Sequence, residues 1–248
     1  MRLLIKLKDS KSQVIDNTYH KLQGFVYELI RERYSSIHDK KGYKFFCFSN
    51  IFPSDNKHDV RNLIISSPSS DIIDSIGKTL DGLIDNVVNI GEMQFVVKEY
   101  KKIETRLPSS NIHVSSATPI IIRIPESRYD DYNIPSAERK KRYVYWRPHY
   151  SFEAFVKQLS ENLIKKYNSF YGTRIQSYDL FEQFMFRRMV YSNLTVKGKD
   201  YPFAGSLWDF TWGFLDSAQR GIIEFGVDAG FGERNSYGLG FVNIKRNM

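Results

Sequence analysis

The sequence predicts an α+β fold built as two tandem halves. Three observations carry this. Residues up to Ile103 read as strand, helix, strand, strand, helix, strand. A Pro108-Ser-Ser stretch then interrupts the pattern, and beyond it the same order of elements starts again with no obvious sequence identity between the copies. That order is the ferredoxin-like (RRM-like) plan, so two such domains packed side by side are expected, spanning residues 1–115 and 116–248.

In the first half, Arg2–Lys8 alternates basic and apolar residues, as a strand with one buried face does. Asp16 or Asn17 is placed to cap a helix running to about Tyr34. Tyr19, Leu22, Phe25, Val26, Leu29 and Ile30 form its apolar stripe, while His20, Gln23, Gly24, Tyr27, Arg31 and Tyr34 lie opposite. A polar loop, Ser35–Gly42, leads to aromatic Tyr43–Phe48, which reads as a strand, and Val60–Ser66 reads as another. Ser69 or Ser70 caps a second helix that turns Ile72, Ile73, Ile76, Leu80 and Leu83 inward. Strands near Asn86–Ile90 and over Met93–Ile103 complete the half.

The second half opens with apolar Pro119–Ile124 as its first strand. Pro125–Tyr143 is polar and insertion-like and ends in Arg139-Lys-Lys-Arg142, which reads either as a solvated hairpin tip or as a basic strap on a nucleic-acid backbone. Ser151 caps a long helix with Phe152, Phe155, Val156, Leu159, Leu163, Ile164 and Tyr167 on one face. Strands near Glu182–Val196 and Tyr201–Phe210, a short helix over Gly213–Phe225 and a last strand, Leu239–Lys245, follow.

A chain of 248 residues with net charge +8 favours a polyanionic partner, because each Lys or Arg placed on a phosphate releases counterions. The one cysteine, Cys47, excludes an internal disulfide and a cysteine-based zinc cage and points to a reducing, cytoplasmic home. No apolar run approaches the roughly 18 residues of a membrane-spanning helix, and no membrane association is expected. The five histidines show no metal-ligand spacing, so neither a metal nor a cofactor is expected.

Near the C-terminus runs Gly230-Phe-Gly-Glu-Arg-Asn-Ser-Tyr-Gly-Leu-Gly240. Asn235 stands where a dinucleotide fingerprint needs its third Gly, and no Gly-Lys-Ser/Thr is present. On chemistry alone the segment is either a tight structural turn or an anion-binding concavity, in which Gly230, Gly232, Gly238 and Gly240 bring the backbone close and Arg234, Asn235 and Ser236 add donors. His38 lies in the polar loop after the first helix, where either a surface role or acid–base work is open to it. Arg187 and Arg188 are further phosphate-gripping candidates. Lys41–Phe48 echoes the aromatic strand motif of RNA-recognition domains, but Lys44 breaks the motif, so Phe46 and Phe48 are read as core.

The glycine segment, directly before a C-terminal strand, resembles the C-terminal signature of the Cas six endoribonucleases of the RAMP superfamily. Looser matches fall in order at Met1–Lys8, Tyr19–Tyr27, Ile37-His38 and Lys44–Ser49. The resemblance implies a metal-independent endoribonuclease that cuts CRISPR repeat transcripts into guide RNAs by 2′-OH attack, leaving a 2′,3′-cyclic phosphate and a 5′-OH. It implies His38 as general acid or base, Tyr27 orienting the phosphate or 2′-OH, and Lys44 stabilising the phosphorane-like transition state. The implied partners are single-stranded or weakly structured repeat RNA, an interference ribonucleoprotein and a second copy of the chain. A non-catalytic RNA-binding subunit of the same superfamily is the alternative, and a two-histidine phosphodiesterase using His113-Val-Ser and His149-Tyr-Ser is a weaker one.

Overall fold

In the computed structural model, which describes all residues except 12, 16–17, 32–41, 55–56, 197 and 246–248, the alternation of β1 (Arg2–Asp9) buries Leu3, Ile5 and Leu7 at the centre of a sheet. Ile5 lies opposite Leu63 of β4 (Lys57–Ser66) on one side and Tyr100 of β6 (Met93–Ile103) on the other, both antiparallel. With β2 (Cys47–Phe48) and β5 (Val87–Ile90) the order is β2-β4-β1-β6-β5, and β3 (Phe52–Ser54) also pairs with β4. Helix α1 (Tyr19–Arg31) buries Leu22, Phe25, Val26, Leu29 and Ile30 of the stripe expected from the sequence, while Tyr19 at its start is half-buried. Helix α2 (Ser70–Asp81) adds Ile72, Ile73, Ile76 and Leu80 to the same core. Each such side chain contributes roughly 1.5–3 kcal/mol on leaving water.

The aromatic run Tyr43–Phe48 is a strand only at Cys47–Phe48. Phe45 takes a left-handed φ of 53°, which ends the extended conformation, and Ser67 Oγ donates to the Phe45 carbonyl at 2.7 Å. The Ser69 hydroxyl makes no cap bond to α2; its backbone N–H donates instead to Ser67 Oγ at 3.1 Å. The expected cap residues of α1, Asp16 and Asn17, and its expected last turn lie outside the described residues.

The second sheet has the order β10-β11-β7-β12, the same arrangement as the first. Its strands are β7 (Ser110–Ser116), β10 (Gln183–Val196), β11 (Lys199–Phe214) and β12 (Val242–Lys245). Apolar Pro119–Ile124 is not its first strand: β7 pairs with β11 and β12 and occupies that place. Ile120 and Ile121 make only isolated bridges, to Ser206 and Glu233, while Arg123–Pro125 (β8) pairs with Tyr143–Tyr145 (β9) as a small separate ribbon. The segment between β8 and β9 is more than a solvated tip, since Tyr129, Tyr132 and Ile134 are buried. Helix α3 (Phe152–Tyr171) ends at left-handed Gly172, and the Ser151 hydroxyl makes no cap bond. The core gathers Trp146, Phe155, Trp208, Phe210 and Trp212, with Phe155 stacked on Trp208 at 4.0 Å.

Helix α4 (Ser217–Ala229) begins four residues later than the sequence suggests, because Gly213 and Phe214 continue β11. Asp216 sets the start: its Oδ1 accepts from the Gln219 N–H at 2.8 Å, and its own N–H donates to Gln219 Oε1 at 3.1 Å, a capping box. The final strand is shorter than Leu239–Lys245, for Gly240 and Phe241 donate to Pro119 O and Thr118 Oγ1 instead of to a strand.

Met1–Thr105 with Asp228–Gly230 and Asn235–Gly238 form one compact unit; Arg106–Val227, Phe231–Arg234 and Leu239–Met248 form the other. The division falls before β7, ten residues ahead of the expected 115/116 boundary, and the turn Asn235–Gly238 joins the first unit. There Gly238, at φ 80°, leaves a Cβ no room against the Phe48 ring. Gly24, on the exposed face of α1, has open space around it. Gly24→Ala is therefore expected to raise stability by about 0.5–1 kcal/mol and Gly238→Ala to lower it by about 1–3 kcal/mol in urea unfolding. Equal midpoints for the two variants would show that the turn is not seated as described.

Candidate nucleic-acid interface

Tyr27 sits one turn before the C-terminal end of α1, off the buried stripe, and its ring meets Phe46 edge-on at 5.5 Å. Lys44 reaches it from just before the left-handed Phe45. Its Nζ donates to the Tyr27 hydroxyl at 2.8 Å and lies 5.1 Å from the ring centroid. A non-glycine residue in the left-handed region costs on the order of 1–3 kcal/mol. Here the strain falls beside a lysine tied to a tyrosine. The structure thus brings two of the three expected catalytic side chains together. The third, His38, lies outside the described residues. Phe46 and Phe48 are core residues, as the sequence reading held.

The glycine segment is built as a succession of left-handed positions, with Gly230, Gly232, Arg234, Gly238 and Gly240 all at positive φ. In the first unit, Asn235–Tyr237 forms one 3-10 turn, closed by the Gly238 N–H donating to Asn235 O at 2.8 Å. Gln23, one helical turn ahead of Tyr27 on α1, donates through Nε2 to the Ser236 carbonyl at 3.2 Å. Asn235 and Ser236 are thereby held beside the half-buried face of α1 that carries Tyr27. Neither Gln23 nor this seating was singled out in the sequence; its position on the polar face of an amphipathic helix was the available signal.

In the second unit, Gly232 faces Ile121, whose carbonyl would lie 2.5 Å from any Cβ there. The buried Lys166 of α3 donates to the Gly232 carbonyl at 3.0 Å. Lys166 reads in sequence as one of several helix lysines, and only the fold reveals its burial. Arg234 is half-buried.

Arg187 and Arg188 behave differently. Arg187 is the extra residue of a β-bulge between Phe186 and Arg188, and bulges re-aim side chains. Its guanidinium donates to the Ser116 carbonyl and pairs with Asp209 at 3.5 Å. Burial works to raise the Asp209 carboxyl, but the Ser115 hydroxyl, Lys245 and Arg187 outweigh it and hold it below the usual range. Arg187 is thus committed within its sheet although it remains exposed, and Arg188 is exposed as well. His113 contacts the Thr211 hydroxyl and His149 contacts Glu138, so each is engaged locally. Among the described residues no three His, Cys, Asp or Glu side chains gather into a metal-binding group, and no helix is long and apolar enough to cross a membrane.

Known proteins share this architecture. The chain is 28% identical to the CRISPR-associated endoribonuclease Cas6 2 of Methanocaldococcus jannaschii, covering 98% of this chain and 99% of that one. It is 27% identical to the CRISPR-associated endoribonuclease Cas6 of Haloferax mediterranei, covering 98% and 93%. A solved structure described as an RAMP protein binding different RNA substrates superposes with a TM-score of 0.72 at 23% identity, covering 99% of this chain and 100% of that one, a likeness of fold. The sequence profile of the family described as CRISPR associated protein Cas6, C-terminal, matches residues 98–244, and over that span, more than half its length, the chain identifies itself as a member of the Cas6 family.

Proposed function

We propose that the protein is a metal-independent endoribonuclease that binds CRISPR repeat transcripts and cuts them into guide RNAs. The observation that carries this reading is the Lys44–Tyr27 hydrogen bond on the same helix that seats the glycine turn through Gln23. A turn built on left-handed positions and seated on the helix that also carries Tyr27 suits a phosphodiester. Endoribonuclease activity in the two Cas6 relatives, by their names, agrees with it.

RNA supplies its own nucleophile. A base removes the 2′-OH proton, the oxygen attacks the adjacent phosphorus, and the P–O5′ bond breaks as an acid protonates the leaving oxygen. The products are a 2′,3′-cyclic phosphate and a 5′-OH. Negative charge builds on the non-bridging oxygens in between, and the Lys44 ammonium is placed to neutralise it. The Lys44 bond holds the Tyr27 phenol beside the ammonium, and Tyr27 is assigned the role of orienting the phosphate or the 2′-hydroxyl. His38 is assigned the acid–base role. It lies six residues before Lys44 in the sequence.

Cleavage of repeat RNA is expected to persist in excess EDTA, and His38→Ala should slow the single-turnover rate by about 10²–10⁴-fold. An unchanged rate in His38→Ala would remove that residue from the mechanism. Tight repeat binding by the parent with no cleavage over hours would instead make the chain a binding subunit. Tyr27→Phe and Lys44→Met, whose partners act as one hydrogen-bonded unit, should be non-additive: the double variant should cut about as slowly as the worse single one. Fully multiplicative losses would show that the two side chains act separately.

A further inference from the structure

The basic run Arg139–Arg142 has no part in the site described above, yet it leads into a tyrosine pair. Tyr143 and Tyr145 lie on one side of β9 with the buried Val144 between them on the other, and their rings meet edge-on at 5.5 Å. The Arg123 guanidinium sits 4.6 Å from the Tyr143 ring centroid and is held there by an ion pair with Glu233. The residue after Glu233 is Arg234, in the left-handed conformation, and among the described residues no carboxylate is paired with it. Burial acts to raise the Tyr143 phenol, but bonds from Tyr145 and Arg123 and the charges of Arg123 and Arg234 leave it below its ordinary value. Arg234 adjoins Glu233, whose ion pair holds Arg123 against the Tyr143 ring.

The backbone of the run is pinned while its side chains stay in solvent. Tyr129 donates its hydroxyl proton to Lys140 O at 2.7 Å, Glu126 N–H donates to Arg142 O at 3.0 Å, and Arg142 N–H donates to Glu126 Oε2 at 3.2 Å. Arg139 is spent on Asp130 and the Ile134 carbonyl, but Lys140, Lys141 and Arg142 are exposed. Cations on a pinned backbone beside half-exposed aromatic rings are what a single-stranded nucleic acid needs: phosphates on the charges, bases on the rings. A solvated hairpin tip would require neither the pinning nor the tyrosines.

We propose that Lys140, Lys141, Arg142, Tyr143, Tyr145 and Arg234 form a second RNA-gripping element, taking an unpaired stretch of the repeat by base stacking and phosphate contact. The proposal rests on the reading of the protein as a repeat-RNA enzyme and adds a subsite to it.

The test is equilibrium binding of the full chain to its genome's CRISPR repeat RNA, made with 2′-O-methyl riboses to block cleavage, across a salt series. Cutting of unmodified repeat by the same proteins is followed in parallel. The Tyr143→Ala/Tyr145→Ala variant should bind about 10-fold or more weakly with an unchanged salt slope, and Tyr143→Phe should bind as the parent does. Arg142→Gln/Arg234→Gln should lower the slope of log affinity against log salt by about 1–2. Unchanged affinity in folded variants overturns the proposal and leaves the enzyme reading intact, whereas a parent that binds no repeat RNA defeats that reading itself. If the alanine variant fails to fold, ultraviolet crosslinking of the unaltered protein decides: crosslinks at Tyr143, Tyr145 or Arg234 support the element, and crosslinks confined to other residues overturn it.

Discussion

The turn Asn235–Gly238 rests on the Phe48 ring and on the Gln23 side chain, and at Gly238 the approach leaves no space for a Cβ. Much of the functional geometry follows from that contact. Phe48 belongs to the two-residue strand that resumes after the left-handed Phe45, and Phe45 in turn follows Lys44. Gln23 lies on the same helix as Tyr27, one turn away. A C-terminal turn, a strained aromatic strand and a helix face are thus locked together within one unit, and the cation–phenol pair is held between the last two. Loosening the turn would release its contacts with the Phe48 ring and with the Gln23 side chain of α1.

Periodicity made much of this legible. The α1 stripe and the first part of β6, where Met93, Phe95 and Val97 alternate into the core, follow from the side-chain pattern. The pattern misleads where burial is not one-sided. Ile120, Ile121, Ile122 and Ile124 are all buried, so they read as a strand although the sheet position belongs to β7. Strand β7 itself, Ser-Asn-Ile-His-Val-Ser-Ser, is short and polar at both ends and hides beside Pro108. Asp216-x-x-Gln219 was a readable helix start that the glycine at 213 obscured.

The site divides in the same way. Tyr27 and Lys44 are separated by 17 positions, and their contact depends on a backbone reversal at Phe45 that no propensity suggests for a phenylalanine. The glycine segment announced positive φ but not what it leans on: Phe48 and Gln23 in one unit, Ile121 and the buried Lys166 in the other. Arg187 looked like a free cation in sequence, yet the bulge beside Phe186 turns it to Ser116 and Asp209. Sequence identifies residue types able to meet a phosphate; the fold decides which are already engaged.

The central claim is that the scissile phosphate meets the α1 face beside the glycine turn. A crystal structure of the full chain with repeat RNA carrying a 2′-deoxyribose at the cleaved nucleotide tests it most directly. The account predicts a non-bridging oxygen of that phosphate about 3 Å from Lys44 Nζ, with the Tyr27 hydroxyl and the Asn235–Gly238 turn also touching the RNA. A scissile phosphate bound away from α1, with Lys44 and Tyr27 touching no RNA, would contradict it.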